Sequence, residues 1–244
     1  MKPFDDGRAA NDEFQSTLGG THRGELIRDL LRQRVRMPEP VPNYLKRPAL
    51  TEKLTAAITP GSVLLLEAPS GYGKTHALSA AFRETSRSPD TLRWLALTGQ
   101  ENDSGRLLAL LEIALTPPGA TSRPSGQQKA SSNTDALALL LSDAHRSDPD
   151  RDSVLVIDNV GTVANPAAIA LLQQLVENIP SGLALVMVSR KPPPFETHTF
   201  ELEGRFNRIG ADSLELTRLE TFEFFHAAIN RNQLTTVAVE HLYS

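Results

Sequence analysis

A chain of 244 residues is long enough for one large core with appendages, since single hydrophobic cores stop growing near about 250 to 300 residues. Hydrophobic residues at 40% and charged residues at 22% match average globular usage, which excludes collagen-like and wholly disordered chains. A formal net charge of -4 argues against DNA binding by bulk positive charge, and zero cysteines exclude disulfide staples and thiolate zinc sites.

The N-terminal run MKPFDDGRAANDEFQ lacks the apolar segment of a signal peptide, and no stretch reaches the roughly 18 apolar residues of a spanning helix. The expectation is a cytoplasmic chain with no membrane partner. Residues 1–40 read as a polar tail followed by a short basic amphipathic helix, Arg23 to Arg36, where Leu26, Ile27, Leu30, Leu31 and Val35 recur at helical spacing. Pro38, Pro40 and Pro42 end it, because each proline fixes its own backbone and pushes its predecessor out of the helical region.

Leu50 to Ile58 predicts a short helix closed by Pro60-Gly61, and Val63 to Glu67 is a compact apolar run suited to a buried parallel strand. A helix follows the Gly-rich turn through Ala81, a second strand spans Leu92 to Leu97 around the sole tryptophan, Trp94, and another helix covers Arg106 to Leu115. Residues 116–133, TPPGATSRPSGQQKASSN, have almost no apolar content and read as a flexible loop. Helix returns at Asp135 to Ala144, and Val154 to Ile157 predicts a third strand ending on Asp158. Asn165-Pro166 caps a helix to Asn178. Leu183 to Val188 is a fourth strand ending at Ser189-Arg190, and Ser213 to Leu216 reads as a fifth.

Thr217 and Glu220 form a capping box for a last helix through Ile229, on which Phe222, Phe224, Phe225 and Ile229 are expected to stay partly uncovered. Strands alternating with helices imply an α/β fold with a parallel sheet and right-handed crossovers. The expected organisation is a three-layered P-loop core over residues 41–216, followed by a helical appendage at 217–244 that reads as the incomplete start of a further domain.

The strongest chemical signal is Ala68-Pro69-Ser70-Gly71-Tyr72-Gly73-Lys74-Thr75, a Walker A pattern with Ala68 in place of the first glycine. Between an apolar strand and a helix, such a loop aims backbone N–H groups and the helix N-terminus at one anion. Lys74 is placed to bridge the β- and γ-phosphates, and the Thr75 hydroxyl to enter a Mg²⁺ shell; His76, next in the helix, joins the nucleotide contacts. Asp158, at the C-terminal end of a buried strand, reads as the second magnesium contact, and Arg190 as a γ-phosphate sensor whose fork suits phosphate oxygens. The plainer alternatives are an ordinary glycine turn, a turn aspartate and a solvated loop arginine. The six histidines are scattered without ligand spacing, no nucleophile elbow is present, and the absence of a guanine-reading motif leans toward ATP.

In these pieces and their order the chain resembles the STAND class of P-loop ATPases and, within it, the large LuxR-type transcriptional activators of the maltose-regulon kind. The resemblance rests on Arg34-Val35-Arg36-Met37-Pro38 with Lys46-Arg47-Pro48-Ala49-Leu50, on the alanine-first Walker A, on Trp94-Leu95-Ala96-Leu97 with Asn102-Asp103, and on Met187-Val188-Ser189-Arg190. It implies ATP/ADP and Mg²⁺ as ligands, with Arg47 and Leu50 framing the adenine pocket. Asn159 stands where that family has a second aspartate, which implies slow ATP hydrolysis unless Glu101 or Asp103 supplies the base. It further implies an inducer and DNA contacted through domains beyond Ser244, a truncated chain, and nucleotide-dependent self-association. A freestanding AAA-like ATPase that remodels a partner and a non-hydrolysing nucleotide module are the alternatives.

Overall fold

In the computed structural model, residues 35–39, 44–85, 91–116, 132–147, 152–230 and 235–243 are described. The N-terminal tail, all but the end of the basic helix and residues 117–131 of the predicted loop lie outside them.

Five strands, β1 (Val63–Glu67), β2 (Leu92–Ala96), β3 (Ser153–Asp158), β4 (Leu183–Ser189) and β5 (Phe206–Ile209), form one all-parallel sheet in the order β2-β3-β4-β1-β5. Alternating residues of a strand point to opposite faces. Leu64, Leu66, Val154, Val156, Val186 and Val188 fill one face with Leu50 and Leu54 of α1 (Pro48–Ala57) and Ala77, Leu78, Ala81 and Phe82 of α2 (Lys74–Glu84). Val63, Leu65, Leu155, Ile157, Leu185 and Met187 fill the other, against α3 (Ser104–Leu115), α4 (Asn133–Ser147) and α5 (Pro166–Glu177). The chain is therefore the expected three-layered α/β P-loop fold, and its central strands are uniformly apolar because both faces are covered. Trp94 is fully buried in β2, edge-on to Phe82 with ring centroids 6.5 Å apart.

The fifth strand is not where the sequence pattern puts it. It is Phe206–Ile209, paired with β1, whereas Ala211–Leu214 forms a short helix, α7. Phe206 and Ile209 enter opposite core faces and Arg208 is exposed, so this edge strand has no apolar alternation to reveal it. Leu214 and Leu216 mimic alternation, yet Leu214 is buried as part of a helical turn against the α1 face.

Between β4 and β5 lies a single helical turn, α6 (His198–Leu202). The helical appendage comprises α8 (Arg218–Asn230) and α9 (Thr236–Tyr243), the second of which the sequence reading missed. The predicted capping box is present: the Thr217 N–H donates to Glu220 Oε2 at 2.8 Å and the Glu220 N–H to Thr217 Oγ1 at 3.3 Å. Phe224 is exposed and Phe222 and Phe225 are half-buried, as expected of an apolar face that is only partly covered, while the Ile229 side chain lies outside those described.

Arg47, expected at an adenine pocket, instead ties this appendage to the core. Its Nε and one terminal nitrogen donate to Glu220 at 2.9 and 3.2 Å, and its two terminal nitrogens donate to the carbonyls of Leu214 and Glu215 at 2.8 and 2.6 Å. The Lys53 ammonium adds a bond to Ser213 Oγ at 2.7 Å.

Candidate functional site

The site grows from the end of β1. Past Glu67 the chain turns through Gly71 at φ +92° and Gly73 at φ +70°, left-handed conformations that a side chain disfavours. A Cβ at either position would meet nothing within 4 Å, so the requirement is conformational and the space above the loop is open. Gly73 is the N-cap of α2 and supplies no side chain to its first N–H groups, leaving those donors for an anion.

Lys74 opens α2 and is buried, its Nζ donating to the carbonyls of Ala68 at 2.6 Å and Pro69 at 2.8 Å. The Thr75 hydroxyl donates to Asp158 Oδ2 at 2.8 Å, joining the start of α2 to the end of β3. Burial raises the Asp158 carboxyl above its ordinary pKa, opposed by the bond from Thr75 and the charges of Lys74 and Arg190. Burial lowers the Lys74 ammonium, with a further push from the Arg190 charge, against the pull of Asp158. An anion arriving between Lys74 and Arg190 offsets the repulsion between the two cations.

These groups line a cleft of about 530 Å³ over the C-terminal ends of the strands. Of the residues singled out in the sequence, Ser70, Gly71, Gly73, Lys74, Thr75, His76, Asp158, Asn159 and Arg190 line it. Ala68 and Pro69 contribute through their carbonyls to Lys74, and Tyr72 packs on the core face shared with α1 and α2. Arg47 and Leu50 do not line the cleft: Leu50 is buried in the core, and the Arg47 guanidinium is engaged by α8 and the segment before it. Ala96, Leu97, Val188 and Ser189, which the sequence places in the strand-end motifs but gives no contact of their own, line it as well. The available signal was their place at the carboxyl ends of parallel strands, where ligands bind in open α/β sheets.

Asn159 has a left-handed backbone, φ +68°, and its amide nitrogen donates to the Leu97 carbonyl at 3.1 Å. The Leu97 N–H in turn donates to the Asp158 carbonyl at 2.9 Å. Asn102 Oδ1 accepts from the N–H groups of Ala164 and Asn165 at 2.7 and 3.1 Å. The loops after β2 and β3 are thus cross-braced beside the cleft. The other acidic side chains of this region have partners as well: Glu101 is buried and accepts from the Thr98 N–H at 2.7 Å, and Asp103 caps α3 by accepting from the Arg106 N–H at 2.8 Å.

The chain is similar to the HTH-type transcriptional regulator MalT of Vibrio cholerae, 25% identical over 203 residues that make up 82% of this chain and 22% of that regulator. It is likewise similar to MalT of Vibrio parahaemolyticus, 26% identical over 190 residues, 77% of this chain and 20% of that one. It spans about a fifth of the length of these relatives. Among solved structures, a Walker-type ATPase of Pyrococcus abyssi aligns with 82% of this chain and 62% of its own, at 13% identity and a TM-score of 0.48. AMPPCP-bound DnaA from Aquifex aeolicus aligns with 84% of this chain and 57% of its own, at 13% identity and a TM-score of 0.41. No protein-family model matches the chain. Among the described residues, no helix is long and apolar enough to cross a membrane.

Proposed function

We propose that this chain is an ATP-binding switch domain of a signal-responsive transcriptional regulator. The observation that carries the nucleotide reading is the Thr75–Asp158 hydrogen bond, 2.8 Å, in one cleft with Lys74 and Arg190. A hydroxyl and a carboxylate in contact at the foot of a phosphate loop suit Mg²⁺, which keeps several waters and takes few protein ligands beside the substrate's phosphates. Thr75 and Asp158 would hold the cation, and its charge would neutralise the triphosphate. Lys74 and the α2 N-terminus would hold the phosphates. The regulatory part of the reading is supported by the similarity to the MalT regulators. Inducer and DNA contacts, and any nucleotide-dependent self-association, would then fall to the whole protein.

Thr75→Val, a change of nearly constant shape, is expected to remove most of the magnesium dependence of ATP affinity, roughly a tenfold loss in the presence of magnesium. Calorimetric titration of parent and variant with ATP, each with and without magnesium, is the test. If the parent binds ATP equally well in EDTA, the metal role of this pair is wrong.

Slow turnover belongs to the same reading. The Asn159 side chain is turned onto the Leu97 carbonyl, Glu101 is buried, and Asp103 is engaged at a helix cap, which leaves none of the three placed to take a proton from water. Asn159→Asp would set a carboxylate oxygen against the Leu97 carbonyl in place of a donor. It is expected to cost about 1 to 3 kcal/mol in urea denaturation without accelerating hydrolysis. A faster single-turnover rate at unchanged stability would return residue 159 to the chemistry.

A further inference from the structure

The segment that presents Arg190 is built in an unusual way. At the end of β4, Ser189 is buried and its hydroxyl donates to the carbonyl of Lys191 at 2.6 Å, while the Lys191 N–H reaches back to the same oxygen at 3.4 Å. One side chain therefore holds both polar groups of the residue two positions on, and Arg190 sits at the apex between them. Beneath it lies the short 3-10 turn Val160–Thr162 that follows Asp158 and Asn159. At its centre Gly161 brings its backbone so close that a Cβ would stand 3.1 Å from Ser189 Oγ and 3.5 Å from Lys191 Cγ. Gly161 has no left-handed backbone to demand glycine, so what its hydrogen side chain provides is this close approach.

We infer that Ser189 and Gly161 are positioning residues for Arg190: the hydroxyl clasps the β4 turn, the glycine lets that turn rest against the loop carrying Asp158, and together they set the guanidinium to distinguish a triphosphate from a diphosphate. Arg190 lines the same cleft as Lys74 and Asp158, beside the place where those residues would hold the phosphate groups. A side chain as long as arginine loses selectivity when its backbone origin is loose, because each extra rotamer dilutes the bound geometry. The arrangement also joins the β3 and β4 loops mechanically, so a shift at the magnesium carboxylate would be passed to the arginine through Gly161. This inference rests on the reading of Arg190 as the γ-phosphate contact.

The test is the ratio of ATP to ADP affinity, measured by calorimetry on the full chain for Ser189→Ala, Gly161→Ala and Arg190→Ala, and for each of the first two combined with the third. Ser189→Ala and Gly161→Ala are each expected to lower the ratio roughly fivefold, the worth of about one hydrogen bond. Neither should lower it further once Arg190 is alanine. A merely structural defect would weaken both nucleotides together and leave the ratio where it stood, and that result overturns the inference. A ratio that falls in Arg190→Ala but in neither other variant overturns the positioning role alone. If Arg190→Ala itself leaves the ratio unchanged, the phosphate reading of Arg190 goes, and the positioning role with it. Two chemically unrelated variants keep the answer available if one of them folds poorly.

Discussion

Lys74→Ala is expected to weaken ATP binding roughly tenfold to a hundredfold, the loss of one charge-assisted contact worth about 1.5 to 3 kcal/mol. The size follows from the setting. The ammonium is buried at the start of α2, its environment already disfavours the charge, and a phosphate would meet it beside unsatisfied helix N–H groups with little competing water. The variant also removes the donor to the Ala68 and Pro69 carbonyls, which loosens the loop, so circular dichroism must first show a folded chain. Lys74→Met, which keeps the length and apolar stem, separates the two effects: it should lose affinity as Lys74→Ala does while disturbing the loop less. Undiminished ATP affinity in both folded variants would move the triphosphate site away from this cleft.

The largest stability effect is expected at Glu220. Removing it by Glu220→Ala leaves the Arg47 guanidinium, only 8% exposed, facing carbonyls without its carboxylate, and it breaks the capping box of α8. Stranding one member of a buried pair costs about 3 to 5 kcal/mol, and with Glu220 itself 17% exposed the lower end applies. Chemical denaturation should show the loss, and hydrogen exchange should show it concentrated in residues 218–230. Glu220→Gln keeps an acceptor for the Thr217 N–H but not the charge, and should lose less. A loss below about 0.5 kcal/mol in Glu220→Ala would mean that the pair is solvated and contributes as surface pairs do.

The same pair predicts a pH dependence. Burial alone would raise the Glu220 carboxyl, but the bonds from Arg47 and Thr217 outweigh it, and the net shift is downward. A carboxyl lowered in the folded state stabilises the fold above its unfolded pKa, about 4.3, and loses that contribution as pH falls through the lower folded value. The parent should therefore lose stability on acidification in this range more steeply than Glu220→Gln, in which the group no longer titrates.

Much of the fold was legible because its determinants are local. Continuous apolar runs at 63–66, 154–157 and 183–188 are what a strand covered on both faces requires, and each became part of a central strand. The glycine-rich pattern from Ala68 to Thr75 and the capping box are complete within eight and four consecutive residues, so spacing alone exposes them. The edge strand was not legible: Phe206-Asn207-Arg208-Ile209 gives each core face one apolar residue, and its pairing with β1 is a non-local choice that local pattern cannot register.

By itself, then, the sequence determined that a strand, a glycine-rich loop and a helix follow one another, and that Lys74 and Thr75 stand at the helix start, because those features depend on neighbours along the chain. Only the tertiary structure decided which distant side chains meet. The strand order β2-β3-β4-β1-β5 brings Asp158 onto Thr75 across 83 positions, and the packing of α7 and α8 brings Glu220 onto Arg47 across 173. It also turned Asn159 onto the Leu97 carbonyl and set Ser189 against Gly161, since a polar group drawn wholly or partly out of water takes whatever partner the surrounding packing supplies.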